Sequence, residues 1–183
     1  MKLYIARHGQ TDWNLQHRVQ GQTDVPLNAT GIAQAKELCH EVGKINFDVC
    51  FASPLSRAYE TAKIATEGKY KIILDDRLSE RCFGDIEGKI GDSWMEITGG
   101  IDIFDRKLDF GGMGIEPVNA MLVRAKDFLD DLRRKYPNDA KIFVVAHAGL
   151  LRNLHFNIVG YDENTDFATF KIENGELRKY ELN

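Results

Sequence analysis

One histidine of the sequence has neighbours suited to phosphate chemistry. His8 lies between Arg7 and Gly9, in a polar cluster that directly follows the short β-rich run of residues 2–6. A neutral imidazole can act as a nucleophile, a guanidinium presents paired donors that match phosphate oxygens, and glycine lets the backbone come close to an anion. A lone histidine is more often a packed or surface residue, so these neighbours carry the inference that His8 belongs to an anion site.

Two more cationic positions are predicted at the same edge of a sheet. Arg57 follows the apolar run 47–52 on the first turn of a predicted helix, where free backbone N–H groups favour anions. His147 ends the apolar run 141–146. In an α/β fold, functional groups gather at the carboxyl ends of parallel strands. Because the net charge of the chain is −4, we interpret this cluster as a dedicated anion pocket and not as part of a general basic surface.

A metal site is the alternative interpretation of two histidines near an acid. The arginines beside them argue against it, since guanidinium groups repel a divalent cation. His8 and His147 also lack the close spacing of a local ligand pair. We therefore predict no metal and no cofactor.

The elements that must position these residues alternate between strands and helices. Strands are predicted at residues 2–6, 47–52, 70–74 and 141–146, and helices at about 14 residues from Gly31, at 118–136 and from Leu150. Ser53-Pro54 is typical of a helix N-cap followed by a first-turn proline. The alternation predicts an α/β fold of three layers, α/β/α, with a largely parallel central sheet.

Two stretches depart from this alternation. Residues 167–172 and 177–182 flank Asn174-Gly175, a turn signal, and predict a closing hairpin. Residues 89–117 are rich in glycine and predict a short lid or loop insertion with a helix near 92–97. No linker divides the chain, so one catalytic domain over residues 1–183 is expected.

Composition excludes several classes of protein. The 183 residues are 43% hydrophobic and 28% charged, a globular balance, and the negative net charge favours neither nucleic acid nor an anionic membrane. No run approaches the roughly 20 apolar residues of a membrane span, and the N-terminal apolar run is too short for a signal peptide. Cys39, Cys50 and Cys82 are scattered, which indicates free thiols and a cytoplasmic protein.

Five sequence blocks, in order, resemble the histidine phosphatase superfamily in its phosphoglycerate-mutase-like branch. They are RHGQTDWN at 7–14, QGQTDVPL at 20–27, SPLSRAYETA at 53–62, LSERCFGDIEG at 78–88 and VAHAG at 145–149. A single RHG triplet would be weak evidence for this resemblance, whereas five blocks in the family's order are specific evidence. The resemblance covers residues 3 to about 154.

The resemblance implies a role for each matching residue. His8 would become a phosphohistidine, and Arg7, Arg57 and His147 would bind the phosphoryl oxygens. Glu80 would protonate the leaving alcohol and then activate water. The residues expected to contact the substrate are Asn14, Gln20, Gly21, Thr23 and Ala148.

Three other residues are ambiguous. Glu87 is a rival acid, although its place in the turn 84–88 favours a structural role in binding backbone N–H groups. Glu116 stands where many family members carry a GES-like triplet, and we expect it only to cap the helix that follows. Arg152, one turn past His147, is expected to form a salt bridge on its helix.

Three functions remain open at this point. The resemblance favours a metal-independent phosphatase acting on a small phosphorylated metabolite, because a short lid lets water reach the phosphohistidine. A phosphoglycerate-type mutase is the first alternative, and a silent phospho-ligand binding module is the second. The sequence does not identify the substrate, and both a monomer and a homodimer are compatible with it.

Overall fold

The apolar runs of the sequence form a five-stranded sheet in the computed structural model, which describes residues 1–91, 94–108 and 111–182. The strands, in chain order, are β1 Lys2–Arg7, β2 Val49–Ala52, β3 Ile72–Leu74, β4 Lys141–Ala146 and β5 Leu177–Glu181. Their spatial order is β3-β2-β4-β1-β5. The first four are parallel and β5 runs antiparallel to β1, so the sheet is largely parallel, as predicted.

The helices of the predicted alternation form, and α1 is an additional short helix that was not predicted. They are α1 Asp12–Leu15, α2 Ala29–Val42, α3 Ser56–Ala65, α4 Trp94–Ile97, α5 Val118–Lys135 and α6 Ala148–Val159. The Asn28 side chain caps α2 by accepting the backbone N–H of Gly31. The first two residues of the helix predicted at 92–97 lie outside the described residues.

Two hydrophobic cores lie on opposite faces of the sheet and give the three layers. On one face, Leu3 and Ile5 of β1 pack with the apolar sides of α5 and α6. On the other face, Cys50 and Phe143 pack with α2 and α3. Burial raises the pKa of the Cys50 thiol to about 12, and all three cysteines are free.

The predicted closing hairpin is wrong. Phe167–Thr169 is a short 3₁₀ turn, and its apolar neighbours Phe170 and Ile172 are buried in the α5/α6 core instead of forming a strand. The Asn174-Gly175 turn does form, with φ of +78° at Gly175. Since the Gly175 N–H donates to the Arg7 carbonyl at 3.1 Å, the turn leads β5 along the edge of β1.

The predicted cap of α3 is also wrong. The helix begins at Ser56, after Leu55, three residues past Ser53. Asp24 from a distant loop accepts both the backbone N–H and the hydroxyl of Ser56, each at 2.8 Å. The Asp24 carboxylate supplies the negative charge that is favourable at the N-terminus of α3. Ser53 therefore does not cap the helix and makes a different contact.

Within the described ranges, no helix is long and apolar enough to cross a membrane.

Candidate active site

Three strand ends bring the predicted site residues together. Arg7 pairs with Ala146 across β1 and β4, and Ala52 pairs with Val145 across β2 and β4. The residues that follow these strands are therefore neighbours. The backbone N–H of His8 donates to the Ala146 carbonyl at 3.0 Å.

A cavity of about 280 Å³ opens at this edge. Eight of its fifteen lining residues belong to the predicted set, and the other seven come from the loop after α1, from the segment 83–104 and from α6. The walls are formed by Arg7, His8, Asn14, Arg18, Val19, Gln20, Gly21, Arg57, Glu80, Phe83, Ile103, Phe104, Ala148, Gly149 and Arg152. The volume suits a small ligand.

His8 is held as a neutral imidazole with a defined tautomer. Its Nδ1 lies 2.7 Å from the Gly9 carbonyl, which can only accept, so Nδ1 carries the proton and Nε2 has a free lone pair. Burial lowers the pKa of His8 well below its usual value, and the charges of Arg57 and Arg7 lower it further. The side chain of Asn174 donates to the His8 carbonyl at 2.9 Å and fixes the backbone.

Arg57 is buried and Arg7 is half-buried, and carbonyl oxygens anchor both guanidinium groups. Arg7 Nη1 donates to the Ile172 carbonyl at 2.9 Å, and Arg57 donates to the carbonyls of Gly21 and Thr23 at 2.7 and 2.9 Å. In both residues Nε is buried without a hydrogen-bond partner in the described part of the chain. Buried donors of this kind are costly unless a ligand accepts from them.

His147 lies fully buried beside His8, with the two ring centroids 5.0 Å apart, and it does not itself line the cavity. Its Nε2 is 2.8 Å from the Ser53 hydroxyl, and its Nδ1 is buried without a partner among the described residues. Burial and the charge of Arg57 lower the pKa of His147 well below the usual range. Ser53 was not predicted here, because a serine after a strand gives no signal for a contact 94 residues away.

Glu80 is fixed by backbone donors on two sides of its carboxylate. Oε1 accepts the N–H of Arg81 at 2.7 Å, and Oε2 accepts the N–H of Gly149 at 3.1 Å. Arg124 donates to the carbonyls of Arg77, Ser79 and Glu80 at 2.7, 2.7 and 3.2 Å. The chain leading to Glu80 is therefore held from α5.

Glu116 is the partner of that arginine, and the expectation that it caps α5 is wrong. Its carboxylate accepts Nε and Nη2 of Arg124 at 2.7 and 2.9 Å. Pro117 occupies the cap position without a side-chain bond. The pair joins the segment before α5 to the segment that bears Glu80.

Asn14 and Gln20 both line the cavity, and Thr11 orients them. The Thr11 hydroxyl lies 2.9 Å from Gln20 Oε1, and the Thr11 backbone N–H donates to Asn14 Oδ1 at 3.1 Å. With both amide oxygens engaged, the amide NH₂ groups are what these residues can offer to a ligand.

Thr23 is not at the cavity wall. Its N–H and hydroxyl donate to Glu87 Oε2 at 2.9 and 2.6 Å. Glu87 Oε1 also accepts the N–H groups of Gln22 and Phe83, each at 3.0 Å. Glu87 thus has the structural contacts expected of it, while Gly21, with φ of +54°, reaches the cavity beside it.

Arg152 lines the cavity and makes no salt bridge in the ranges the structure describes, so the expected ion pair is wrong. Its Nη2 donates to the Phe170 carbonyl at 3.2 Å, and its guanidinium lies 4.7 Å from the ring centroid of Phe104. Sequence spacing predicts that Arg152 lies on α6, but it does not predict that the side chain lines the cavity.

A second cavity, of about 650 Å³, is larger but has no histidine, cysteine or serine among its walls. Five of its twelve lining residues are acidic, and it shares only Phe104 with the smaller cavity. The smaller cavity is therefore the candidate active site. The described residues bring no group of three or more histidines, cysteines and carboxylates together as a metal site.

Known phosphatases and phosphoglycerate mutases are similar to this chain in sequence or fold. The chain is 36% identical over 159 residues to the uncharacterized phosphatase PhoE of Bacillus subtilis, covering 86% of this chain and 77% of that protein. It is 31% identical to the 2,3-bisphosphoglycerate-dependent phosphoglycerate mutase of a Methylobacterium, covering 89% and 83%. Its fold matches a mycobacterial glucosyl-3-phosphoglycerate phosphatase solved with VO₃, with a TM-score of 0.86, 27% identity and coverage of 97% and 91%.

The family model of the histidine phosphatase superfamily, branch 1, matches residues 3–183. Together with the strand-end site and the three-layer sheet, this match establishes that the chain belongs to the histidine phosphatase superfamily.

Proposed function

We propose that this chain is a metal-independent phosphomonoesterase that hydrolyses a small phosphorylated metabolite through a phosphohistidine on His8. One observation carries the proposal. His8 is neutral and has a fixed tautomer, and Arg7, Arg57 and His147 of the same strand-end cluster each carry a buried nitrogen without a hydrogen-bond partner in the described structure.

In the first half-reaction, Nε2 of His8 attacks phosphorus and the bond from phosphorus to the leaving oxygen breaks. The charge on the equatorial oxygens of the transferring group is stabilised by Arg7, Arg57 and His147. In this scheme the Ser53 hydroxyl, whose oxygen accepts the Leu55 N–H at 3.3 Å, donates a hydrogen bond to Nε2 of His147. That contact leaves Nδ1 of His147 to donate to phosphate.

Glu80 donates its proton to the leaving oxygen, which departs as an alcohol. In the second half-reaction the Glu80 carboxylate takes a proton from water, and the resulting hydroxide attacks the phosphohistidine. The N–P bond breaks, inorganic phosphate leaves, and His8 and protonated Glu80 are restored. Positive charge that a metal would supply in other phosphoryl-transfer sites comes here from guanidinium groups.

The rest of the chain supports this reaction as one catalytic domain. Asn14, Gln20, Gly21 and Ala148 line the cavity and are proposed to contact the phosphoryl group and its ester. The segment 89–117 is proposed as the lid, since Ile103 and Phe104 form part of the wall. We propose a cytoplasmic enzyme; the size of the cavity favours a metabolite over a macromolecule.

Phosphoglycerate mutase activity is the second candidate, favoured by the mutase among the relatives. In that reaction the phosphohistidine would return its phosphoryl group to a bound alcohol in place of water. Product analysis separates the two: a phosphatase releases phosphate from 3-phosphoglycerate, and a mutase forms 2-phosphoglycerate when primed with bisphosphate.

The test is hydrolysis of p-nitrophenyl phosphate and a panel of metabolite phosphates in excess EDTA, by the wild type and by His8→Ala. Turnover that survives EDTA and is lost in His8→Ala is expected. Turnover that requires added metal, or that persists in His8→Ala, would overturn the proposal.

A further inference from the structure

The turn formed by Asn174 and Gly175 lies outside the five sequence blocks, yet it is hydrogen-bonded to the strand end that carries the nucleophile. The Gly175 N–H donates to the Arg7 carbonyl at 3.1 Å, and the Arg7 N–H donates to the Glu176 carbonyl at 3.2 Å. The Asn174 side chain donates to the carbonyl of His8 itself. Asn174 does not line the cavity, so any effect it has on the reaction passes through the residues it holds.

The two peptide groups that flank Gly9 are both held by side chains. The first joins His8 to Gly9, and its carbonyl accepts Asn174 Nδ2 at 2.9 Å while its N–H donates to Thr61 Oγ1 at 3.0 Å. The second follows Gly9; its N–H donates to Gln34 Oε1 at 2.8 Å, and its carbonyl lies 2.7 Å from His8 Nδ1. Because glycine has wide conformational freedom, these contacts fix the carbonyl that accepts from the His8 ring.

Asn174 also orients an amide group of the cavity wall. Its Nδ2 lies 3.4 Å from Asn14 Oδ1, which accepts the Thr11 N–H as well. An amide nitrogen carries two hydrogens, so Asn174 can donate to His8 and to Asn14 at the same time. With its oxygen engaged, Asn14 keeps its NH₂ group for the cavity, where the phosphoryl group is proposed to bind.

We propose that Asn174 is a positioning residue for phosphoryl transfer, which directs the Nε2 lone pair of His8 by fixing the His8 carbonyl and, through Gly9, the tautomer of the ring. This inference rests on the proposed phosphohistidine reaction. The tautomer of a histidine is set by the hydrogen bond that its other nitrogen makes. When the Gly9 carbonyl turns away from Nδ1, the proton can move to Nε2, which then has no lone pair with which to attack phosphorus.

The alternative is that Asn174 only forms the turn, and an aspartate at this position separates the two roles. Asp-Gly is a turn signal of the same kind as Asn-Gly, and the backbone of Asn174 does not have a positive φ. An ionised aspartate accepts hydrogen bonds but donates none. Asn174→Asp therefore keeps the turn and loses the contacts to His8 and Asn14.

The kinetic experiment measures kcat for p-nitrophenyl phosphate and for an alkyl phosphate in Asn174→Asp and Asn174→Ala. Each variant should lose about tenfold or more in kcat, because the nucleophile is misaligned. The loss should be equal on the two esters, since both reactions need His8, whereas loss of an acid would affect mainly the alkyl ester.

Asn138→Asp is the matched control. Asn138 is an exposed asparagine in the turn that precedes β4, at the opposite end of that strand from the cavity. This substitution introduces the same charge in a similar turn, and it should leave kcat unchanged on both esters.

NMR of the histidine rings provides a readout that the role of a simple turn residue would not change. Two-bond ¹H–¹⁵N spectra distinguish protonated from unprotonated ring nitrogens, and the spectrum of His8→Ala identifies the His8 signals. Wild-type His8 should be in the Nδ1–H form, and His8 in Asn174→Ala should be shared between the two tautomers. Thermal melting of each variant checks that it is folded.

Wild-type kcat in Asn174→Asp, or an unchanged His8 ring in Asn174→Ala, overturns the positioning role, while turnover of p-nitrophenyl phosphate by the wild type still supports the phosphatase. Absence of that turnover in the wild type would instead refute the proposed function. The NMR spectra need no turnover, so they test the effect of Asn174 on His8 in either case.

Discussion

Glu80 and Gly149 are joined so closely that the carboxylate occupies the space where a side chain at 149 would lie. The Gly149 N–H donates to Glu80 Oε2 at 3.1 Å, and a Cβ built on Gly149 would stand 2.3 Å from Oε1. The glycine is needed for this close approach. The contact ties the proposed acid to the first turn of α6, directly after His147.

Replacing Glu80 tests its role as the acid. Glu80→Gln should slow hydrolysis of an alkyl phosphate by about 10²-fold or more, because the alkoxide then leaves unprotonated. p-Nitrophenyl phosphate should be affected much less, since its phenolate leaves without help. Steady-state kinetics on both esters give the comparison, and equal losses would show that Glu80 is not the acid.

Adding one methyl group at Gly149 should reproduce the loss of alkyl phosphate hydrolysis expected of Glu80→Gln, without removing the carboxylate. In Gly149→Ala the new Cβ displaces Glu80, so kcat for alkyl phosphates should fall by about tenfold or more, again with a smaller effect on p-nitrophenyl phosphate. Gly112→Ala is the matched control, because a Cβ there would meet nothing within 4 Å. The same kinetic loss on both esters in Gly149→Ala would argue for general disruption of the site.

Glu87 should behave as a structural residue. Its carboxylate accepts four hydrogen bonds, from Gln22, Phe83 and twice from Thr23. Glu87→Ala should therefore lower the free energy of unfolding by about 2 kcal/mol, measured by urea denaturation. The ratio of alkyl to p-nitrophenyl phosphate turnover should stay near the wild-type value; a fall in this ratio like that of Glu80→Gln would make Glu87 the acid.

The buried histidines should make stability depend on pH. The pKa values of His8 and His147 are both lowered by burial in the folded protein, so below pH 6.5 the unfolded chain binds more protons than the folded chain. The free energy of unfolding must then fall as the pH falls through 6.5. His8→Asn should reduce that slope by up to about 1.4 kcal/mol per pH unit. Urea denaturation between pH 7.5 and 5.5 measures how the free energy of unfolding changes with pH. Identical slopes in the wild type and in His8→Asn would contradict a neutral buried His8.

The sequence predicted those parts of the site that lie in contiguous motifs. Arg7 and His8 stand at a strand end, and Arg57 stands on the first turn of α3; each position follows from local periodicity and the topology of a parallel sheet. The three layers follow in the same way from alternating strands and helices.

Contacts between residues that are far apart in the sequence could not be predicted where the residue types themselves give no specific signal. Ser53 has the local pattern of a helix cap, yet Asp24 caps that helix and Ser53 contacts His147. Glu116 looks like a cap but binds Arg124. The false hairpin has a related cause: Phe167 and Phe170 are apolar enough for a strand, but tertiary packing against α6 decides their conformation.

The most direct test of the central claim is to trap the phosphoenzyme. Wild type and His8→Ala are mixed with ³²P-labelled substrate in excess EDTA and quenched within the first turnovers. We expect the wild type to carry label that is stable to alkali and labile to acid, as a phosphohistidine is, and to be located on the peptide containing His8, with none in the variant. Turnover by the wild type with no labelled protein at any quench time, or equal label in His8→Ala, would contradict the account.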